Sequence, residues 1–227
     1  MKEYKVNEIF YSLQGEGSNT GKPAVFVRFS GCNRACSFCD TDFNKFTTYT
    51  AEDIVVCIRR LLADSEVKED APVYIVLTGG EPTLQVDTRL IYVLLTSFKS
   101  RPTIQIETNG TTLSELPDEI LSRVFLTISP KTLNDARSIT KYLSESGTNL
   151  SCEIKIVSRS LCENDDDFKQ TLEIFETVPE TVQKFVQPCD SGNVAENTEE
   201  ITKCVELVKA NPNWRLSLQT HKIIGIQ

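Results

Sequence analysis

Three cysteines stand close together in Gly31-Cys32-Asn33-Arg34-Ala35-Cys36-Ser37-Phe38-Cys39, with three residues between the first two and two between the next. A loop with thiols at this spacing can wrap one metal centre. A closed zinc site asks for four Cys or His ligands, whereas this chain has a single histidine, His221, and no second Cys pair at zinc spacing. A cubane iron-sulfur cluster held by three thiolates leaves one iron without a protein ligand, while a pure electron carrier ordinarily uses four. An open iron suggests chemistry. The other five cysteines, Cys57, Cys152, Cys162, Cys189 and Cys204, are scattered, mostly in apolar surroundings, and read as small core residues.

A cysteine loop must be carried by something, and the hydrophobic pattern says what. Runs rich in Val, Ile and Phe recur with helical patterns between them. Strands are expected at residues 24–29, 73–77, 103–106, 124–128, 153–157 and 184–187, with a seventh at 215–218. Helices are expected between them: one over 51–63, with Thr50 as cap and Asp53 in its first turn, another over 198–210, and a third starting at the acidic run Asp165-Asp166-Asp167. Strands joined by long crossovers form a parallel sheet, either open and doubly wound or closed toward a barrel. The polar and Gly-rich signals all follow strands: Ser30-Gly31-Cys32, Thr78-Gly79-Gly80-Glu81-Pro82, Glu107-Thr108-Asn109-Gly110, Ser129-Pro130-Lys131 and Pro188-Cys189-Asp190. That rim is where α/β folds place their sites.

Composition narrows the function classes. With 227 residues, 40% hydrophobic and 25% charged, the chain is expected to fold as one domain over 1–227 with a real core. A net charge of -8 repels a phosphate backbone, so nonspecific nucleic-acid binding is not expected. No apolar run approaches the ~20 residues needed to span a bilayer. The charged start, Met1-Lys2-Glu3-Tyr4-Lys5, lacks the pattern of a signal peptide, which points to the cytoplasm and to reduced thiols.

The three-cysteine spacing resembles that of the radical S-adenosylmethionine superfamily, and Gly79-Gly80-Glu81-Pro82 looks like its glycine-rich motif, where a backbone without Cβ admits the cofactor closely. Three further segments narrow the resemblance to 7-carboxy-7-deazaguanine synthases: Phe10-Tyr11-Ser12-Leu13-Gln14-Gly15-Glu16-Gly17, Cys39-Asp40-Thr41-Asp42 and Leu218-Gln219-Thr220-His221-Lys222. The resemblance runs from about Glu8 to the last residue. It implies a partial, modified TIM-type (β/α)6 barrel and a [4Fe-4S] cluster on Cys32, Cys36 and Cys39. Reductive cleavage of S-adenosylmethionine there would start conversion of 6-carboxy-5,6,7,8-tetrahydropterin to 7-carboxy-7-deazaguanine and ammonia, on the route to queuosine and related deazapurines. It also implies a homodimer and an electron donor such as flavodoxin or ferredoxin.

The resemblance assigns site residues one by one. Phe38, Gly79, Gly80 and Glu81 would contact the cofactor, as would Glu107 and Asn109, then Ser129, Pro130 and Lys131, and finally Gln187, Pro188, Cys189 and Asp190. The substrate would meet Leu13, Gln14, Gly15 and Glu16 on the first loop, then Arg28, Thr78, His221 and Gln227. The residue types suit this. Arg28 offers a planar fork for a carboxylate, and Glu16 can accept hydrogen bonds from an amino-pyrimidinone edge. The Thr41 hydroxyl is a hard oxygen donor suited to Mg²⁺; the alternatives are that it caps a turn, or that Asp40 or Asp42 is the ion's neighbour. The tail Ile223-Ile224-Gly225-Ile226-Gln227 is apolar and expected to fold inward, and the resemblance implies that the Gln227 carboxylate reaches the substrate. Two other readings stand beside this one: an activase that installs a glycyl radical on a larger enzyme, and a noncatalytic zinc-binding interaction module.

Overall fold

The computed structural model describes residues 2–36, 39, 45–145, 150–158 and 165–227, with the backbone alone at 165 and 166. Phe38, Thr41 and Cys162 lie outside the described residues. The chain opens with β1 (Tyr4–Leu13), which pairs antiparallel with β2 (Pro23–Phe29) on one side and with a short β3 (Thr47–Tyr49) on the other. From β2 onward every pairing is parallel, through β4 (Tyr74–Gly79), β5 (Thr103–Thr108), β6 (Phe125–Ile128), β7 (Cys152–Val157), β8 (Gln183–Gln187) and β9 (Trp214–Leu216). Crossover helices alternate with the strands: α1 (Ala51–Asp64), α2 (Thr88–Thr96), α3 (Asp118–Leu121), α4 (Leu133–Glu145), α5 (Asp165–Phe175) and α6 (Val194–Ala210); α7 (Thr220–Ile224) comes last. The sheet order β3-β1-β2-β4-β5-β6-β7-β8-β9 leaves β3 and β9 as edges, so the sheet of described residues does not close. Among the described residues, seven parallel strands joined by six helical crossovers form an open, partial barrel of the kind the resemblance implied.

Strand alternation separates two faces. Val25, Val27 and Phe29 of β2, Ile75 and Leu77 of β4, and Ile104 and Ile106 of β5 join helix residues such as Ile54, Ile58, Leu90 and Leu94 in the main apolar core. The alternate residues point inside the barrel. At its base Phe10, Ala24, Phe26, Tyr74 and Val76 form a second apolar cluster, with Phe10 and Phe26 stacked at 4.9 Å. Helix ends are fixed locally. Thr50 Oγ1 accepts from Asp53 N at 3.1 Å while Thr50 N donates to Asp53 Oδ2 at 3.0 Å, a reciprocal capping box at the start of α1. Asn193 caps α6 through Ala195 N and Glu196 N, so this helix begins four residues earlier than its apolar pattern suggested.

Two strands were not expected from the sequence. β1 buries Tyr4, Val6 and Phe10 but leaves Lys5 exposed and its remaining interior positions half-buried, so it carries no continuous apolar run. Its signal is period-two alternation in a sheet that turns antiparallel near its edge. β3 has only three residues and buries none of them.

Candidate active site

The cysteine loop leaves β2 and packs directly on the glycine pair at the end of β4. Gly80 N donates to Phe29 O at 3.0 Å and Glu81 N to Gly31 O at 2.9 Å. A Cβ on Gly80 would stand 1.8 Å from Gly31 O, and one on Gly79, whose φ is +114°, would stand 2.2 Å from Phe29 O. The packing of these strand ends and of the cysteine loop therefore requires both glycines in its own right, beside any part they play in cofactor approach. The far side of the loop is braced by Asn109 Nδ2 to Asn33 Oδ1 at 2.9 Å and Asn33 Nδ2 to Thr111 Oγ1 at 2.8 Å. Arg34 reaches across to pair with Asp135 of α4.

Inside the barrel, the strands' last inward-facing residues form a polar layer around a cavity of about 550 Å³. Arg28, Thr78, Glu107, Ser129, Lys155 and Gln187 contribute one side chain or strand end each. Both oxygens of Glu107 are held: Thr78 Oγ1 donates to one at 2.7 Å and Gln14 Nε2 to the other at 3.0 Å. Below them lies a hydrogen-bonded layer in which Gln105 Nε2 donates to Thr127 Oγ1 at 2.6 Å and Thr127 Oγ1 donates to Glu153 Oε1 at 2.8 Å. Lys155 forms a nearly buried ion pair with Glu16, whose other oxygen accepts from Gln219 Nε2 at 2.9 Å. Burial pushes the Glu16 carboxyl up, but the Lys155 ammonium, its hydrogen bond, Gln219 and His221 outweigh this and hold it well below its ordinary range. Burial alone would depress Lys155, and Glu16, Glu107 and Glu153 reverse that, so the ammonium is held more firmly than usual.

Arg28 is not a free fork. Its Nε donates to Glu8 Oε1 at 2.7 Å and its guanidinium lies over the Phe10 ring, so a substrate carboxylate would meet only its remaining donors. The chain terminus also departs from expectation. Ile223 and Ile224 are 65% and 59% exposed, so the apolar tail does not fold inward. Lys222, Ile226 and Gln227 line the cavity, with Lys222 Nζ donating to Asp190 Oδ2 at 2.9 Å and Gln227 Nε2 to Glu8 Oε2 at 2.8 Å. The polar ties, with Ser12 Oγ donating to Gln227 O at 2.5 Å, fix the tail where apolar burial was expected to. His221 packs against Gly15, where a Cβ would meet its Nδ1 at 2.0 Å, and Thr220 N donates to Gly15 O at 3.0 Å.

Cys32, Cys36 and Cys39 are free thiols that line this same cavity. Burial pushes Cys32 and Cys36 up, Lys131 pulls Cys36 down, and each of these two is raised further by Cys39. Three thiols distributed around one cavity wall suit a polynuclear centre, in which each thiolate takes a different iron. The donor set therefore fits a cluster.

The Radical SAM superfamily profile matches residues 26–182, which spans the cysteine loop and the strands from β2 to β7. A 7-carboxy-7-deazaguanine synthase from Bacteroides thetaiotaomicron is 40% identical over 98% of both chains. The chain belongs to the 7-carboxy-7-deazaguanine synthase family of the radical SAM superfamily. A second relative of that name, from Haemophilus influenzae, is 34% identical over 99% of this chain and 94% of its own. The crystal structure of QueE from Escherichia coli shares the fold with a TM-score of 0.65 at 23% identity, covering 95% of this chain and 93% of that one.

Every residue assigned to the substrate lines the cavity, from Leu13 at the end of β1 to Gln227 at the tail. Most of the cofactor set does too. Glu81 and Pro130 do not: both are buried, and the Glu81 carboxylate accepts from Thr83 N at 3.1 Å, Thr108 Oγ1 at 2.7 Å and Asn109 N at 2.7 Å. Glu81 thus fastens the glycine-rich loop to β5. Phe38 as a cofactor contact and Thr41 as a magnesium ligand fall outside the described residues. Lys155 was missed. Its signal was present, since Glu153 and Lys155 alternate with Ile154 and Ile156 in a strand otherwise buried on both faces.

Proposed function

We propose that this chain converts 6-carboxy-5,6,7,8-tetrahydropterin to 7-carboxy-7-deazaguanine with loss of ammonia, for queuosine-type deazapurine synthesis. The observation that carries the reading is that the three-thiol loop opens onto the same cavity as Gln14, Glu16, Arg28 and Thr78. The volume lies within the range usual for small-molecule sites. When bound, the [4Fe-4S] cluster and S-adenosylmethionine supply the reductive cleavage that starts radical chemistry on the substrate. Cys32, Cys36 and Cys39 would hold the cluster, while Ser129, Lys131 and Gln187 lie where the cofactor would be oriented.

The protein's own contribution is positioning. Glu16, ionised by Lys155, faces the cavity as an acceptor for the amino-pyrimidinone edge. Glu107 is fixed by Thr78 and Gln14, so its geometry is set before any ligand arrives. Lys155 keeps its proton and serves as a fixed cation, not as a base. The tail contributes Lys222, Ile226 and Gln227 to the cavity wall, held by Asp190 and Glu8. Magnesium at Thr41, a flavodoxin- or ferredoxin-like reductant, a homodimeric assembly and a cytoplasmic location complete the proposal. No helix among the described residues is long and apolar enough to cross a membrane.

The test is anaerobic turnover with the carboxypterin, S-adenosylmethionine and a reductant, followed by mass detection. The expected product carries the mass change of ammonia loss. Cleavage of the sulfonium cofactor with no pterin product would favour the activase reading instead.

A further inference from the structure

We propose that Lys155 is a positioning residue for substrate recognition, holding the Glu16 carboxylate in one charged orientation toward the cavity. The proposal rests on Glu16 being a substrate contact, as the function above requires. Glu16 and Lys155 both line the cavity, yet their side chains are only 14% and 7% exposed. The carboxylate is anchored at two points, Lys155 Nζ on one oxygen and Gln219 Nε2 on the other. Glu16 makes no side-chain cap to the short helical turn that follows it, so local structure does not fix its rotamer.

The backbone of the same loop is held independently. Glu16 N donates to Gln14 Oε1 at 3.1 Å, Gly17 N to Ser217 Oγ at 2.9 Å and Ser18 N to Glu153 Oε2 at 3.0 Å. Removing the ammonium therefore leaves the Glu16 carboxylate held by Gln219 alone while the loop stays in place. It also changes the charge balance around Glu16. The groups that face the pair are Glu153 on β7, Glu107 on β5, Lys131 after β6, and Gln219 and His221 on the closing segment. Without Lys155 the burial that opposes ionisation is no longer outweighed by its nearest cation, and Glu16 takes up a proton at higher pH. A protonated Glu16 loses one of the acceptors that an amino-pyrimidinone edge needs.

The experiment measures carboxypterin affinity by calorimetry on the cluster-loaded protein with S-adenosylmethionine bound. It compares wild type, Lys155→Met, Lys155→Arg, Glu16→Gln and the Lys155→Met/Glu16→Gln double variant. Lys155→Met is expected to weaken affinity about 10- to 100-fold, the loss of one charge-assisted hydrogen bond. Its deficit relative to wild type should shrink as pH rises from about 6 to about 8, because Glu16 then ionises unaided. Lys155→Arg should recover most of the affinity, and the double variant should bind no more weakly than Glu16→Gln alone. Thermal unfolding checks that Lys155→Met folds; if it does not, Lys155→Gln, which keeps a donor without the charge, is expected to give the same pH-dependent deficit. Unchanged affinity in Lys155→Met, a deficit that ignores pH, or additive losses in the double variant would each overturn the proposal. A wild-type protein that does not bind the carboxypterin would instead overturn the functional reading beneath it, and the proposal with it.

Discussion

Gly80→Ala is expected to detach the cysteine loop from the sheet while the sheet itself survives. The new Cβ would sit 1.8 Å from Gly31 O, 2.5 Å from Gly31 C and 3.2 Å from Cys32 N, and a tolerable contact begins near 3.0 Å. The obstacle is backbone, so no rotamer change relieves it, and the loop must retreat by more than an ångström. That retreat breaks Glu81 N to Gly31 O at 2.9 Å and strains Gly80 N to Phe29 O at 3.0 Å. Overpacking costs about 1–3 kcal/mol and each lost hydrogen bond roughly 0.5–1.5 kcal/mol, so the full penalty is about 2–6 kcal/mol. Peeling the loop away avoids the overpacking part, which places the loss of global stability near 2 kcal/mol and leaves the larger effect on the metal site. Urea denaturation and iron content after anaerobic reconstitution measure the two separately. Gly192→Ala is the control: its φ is +74° but nothing lies within 4 Å of the added Cβ, so it carries backbone strain without a clash. Gly80→Ala is expected to lose iron and the control to keep it. A Gly80→Ala protein with the wild-type denaturation midpoint and full iron would refute the packing argument.

Thr50→Ala removes one half of the α1 capping box and should cost about 1 kcal/mol in urea denaturation with turnover unaffected, since α1 does not line the cavity. Asp190 is held at about 2, below its ordinary 3.8, by Gly192 N, then by Lys222 and Asn197. A depressed carboxyl stabilises above its unfolded value and loses that contribution as pH falls toward its folded value, so the tie to Lys222 should be intact above about pH 4 and fail on the way to about pH 2. Asp190→Asn at neutral pH should therefore raise KM for the carboxypterin more than it lowers kcat, by loosening α7 and the tail; unchanged KM would contradict that role.

The parts of the site that were legible in the sequence are those where chemistry and local structure coincide. Cys32, Cys36 and Cys39 are tied to one loop by covalent spacing, and the glycine, Thr78 and Glu107 signals mark strand ends that a parallel sheet must bring to one rim. What was illegible depends on long-range packing. The ion pair between Glu16 and Lys155 joins residues 139 apart in sequence, and neither reveals the other. The role of Gly80 is set by a carbonyl on another loop, and the half-engagement of Arg28 by Glu8 requires the antiparallel pairing of β1 with β2, a strand that gives no continuous apolar run. The tail misled for a related reason: its isoleucines suggest burial, while the side chains that anchor it are the polar Lys222 and Gln227.

The most direct measurement is iron and sulfide per chain in anaerobically purified protein, with electron paramagnetic resonance of the reduced sample before and after S-adenosylmethionine is added. About four irons per chain, and a spectrum that changes on addition, are what a cluster with one iron lacking a thiolate predicts. One zinc per chain, or a reduced cluster whose spectrum is indifferent to the sulfonium compound, would contradict the account.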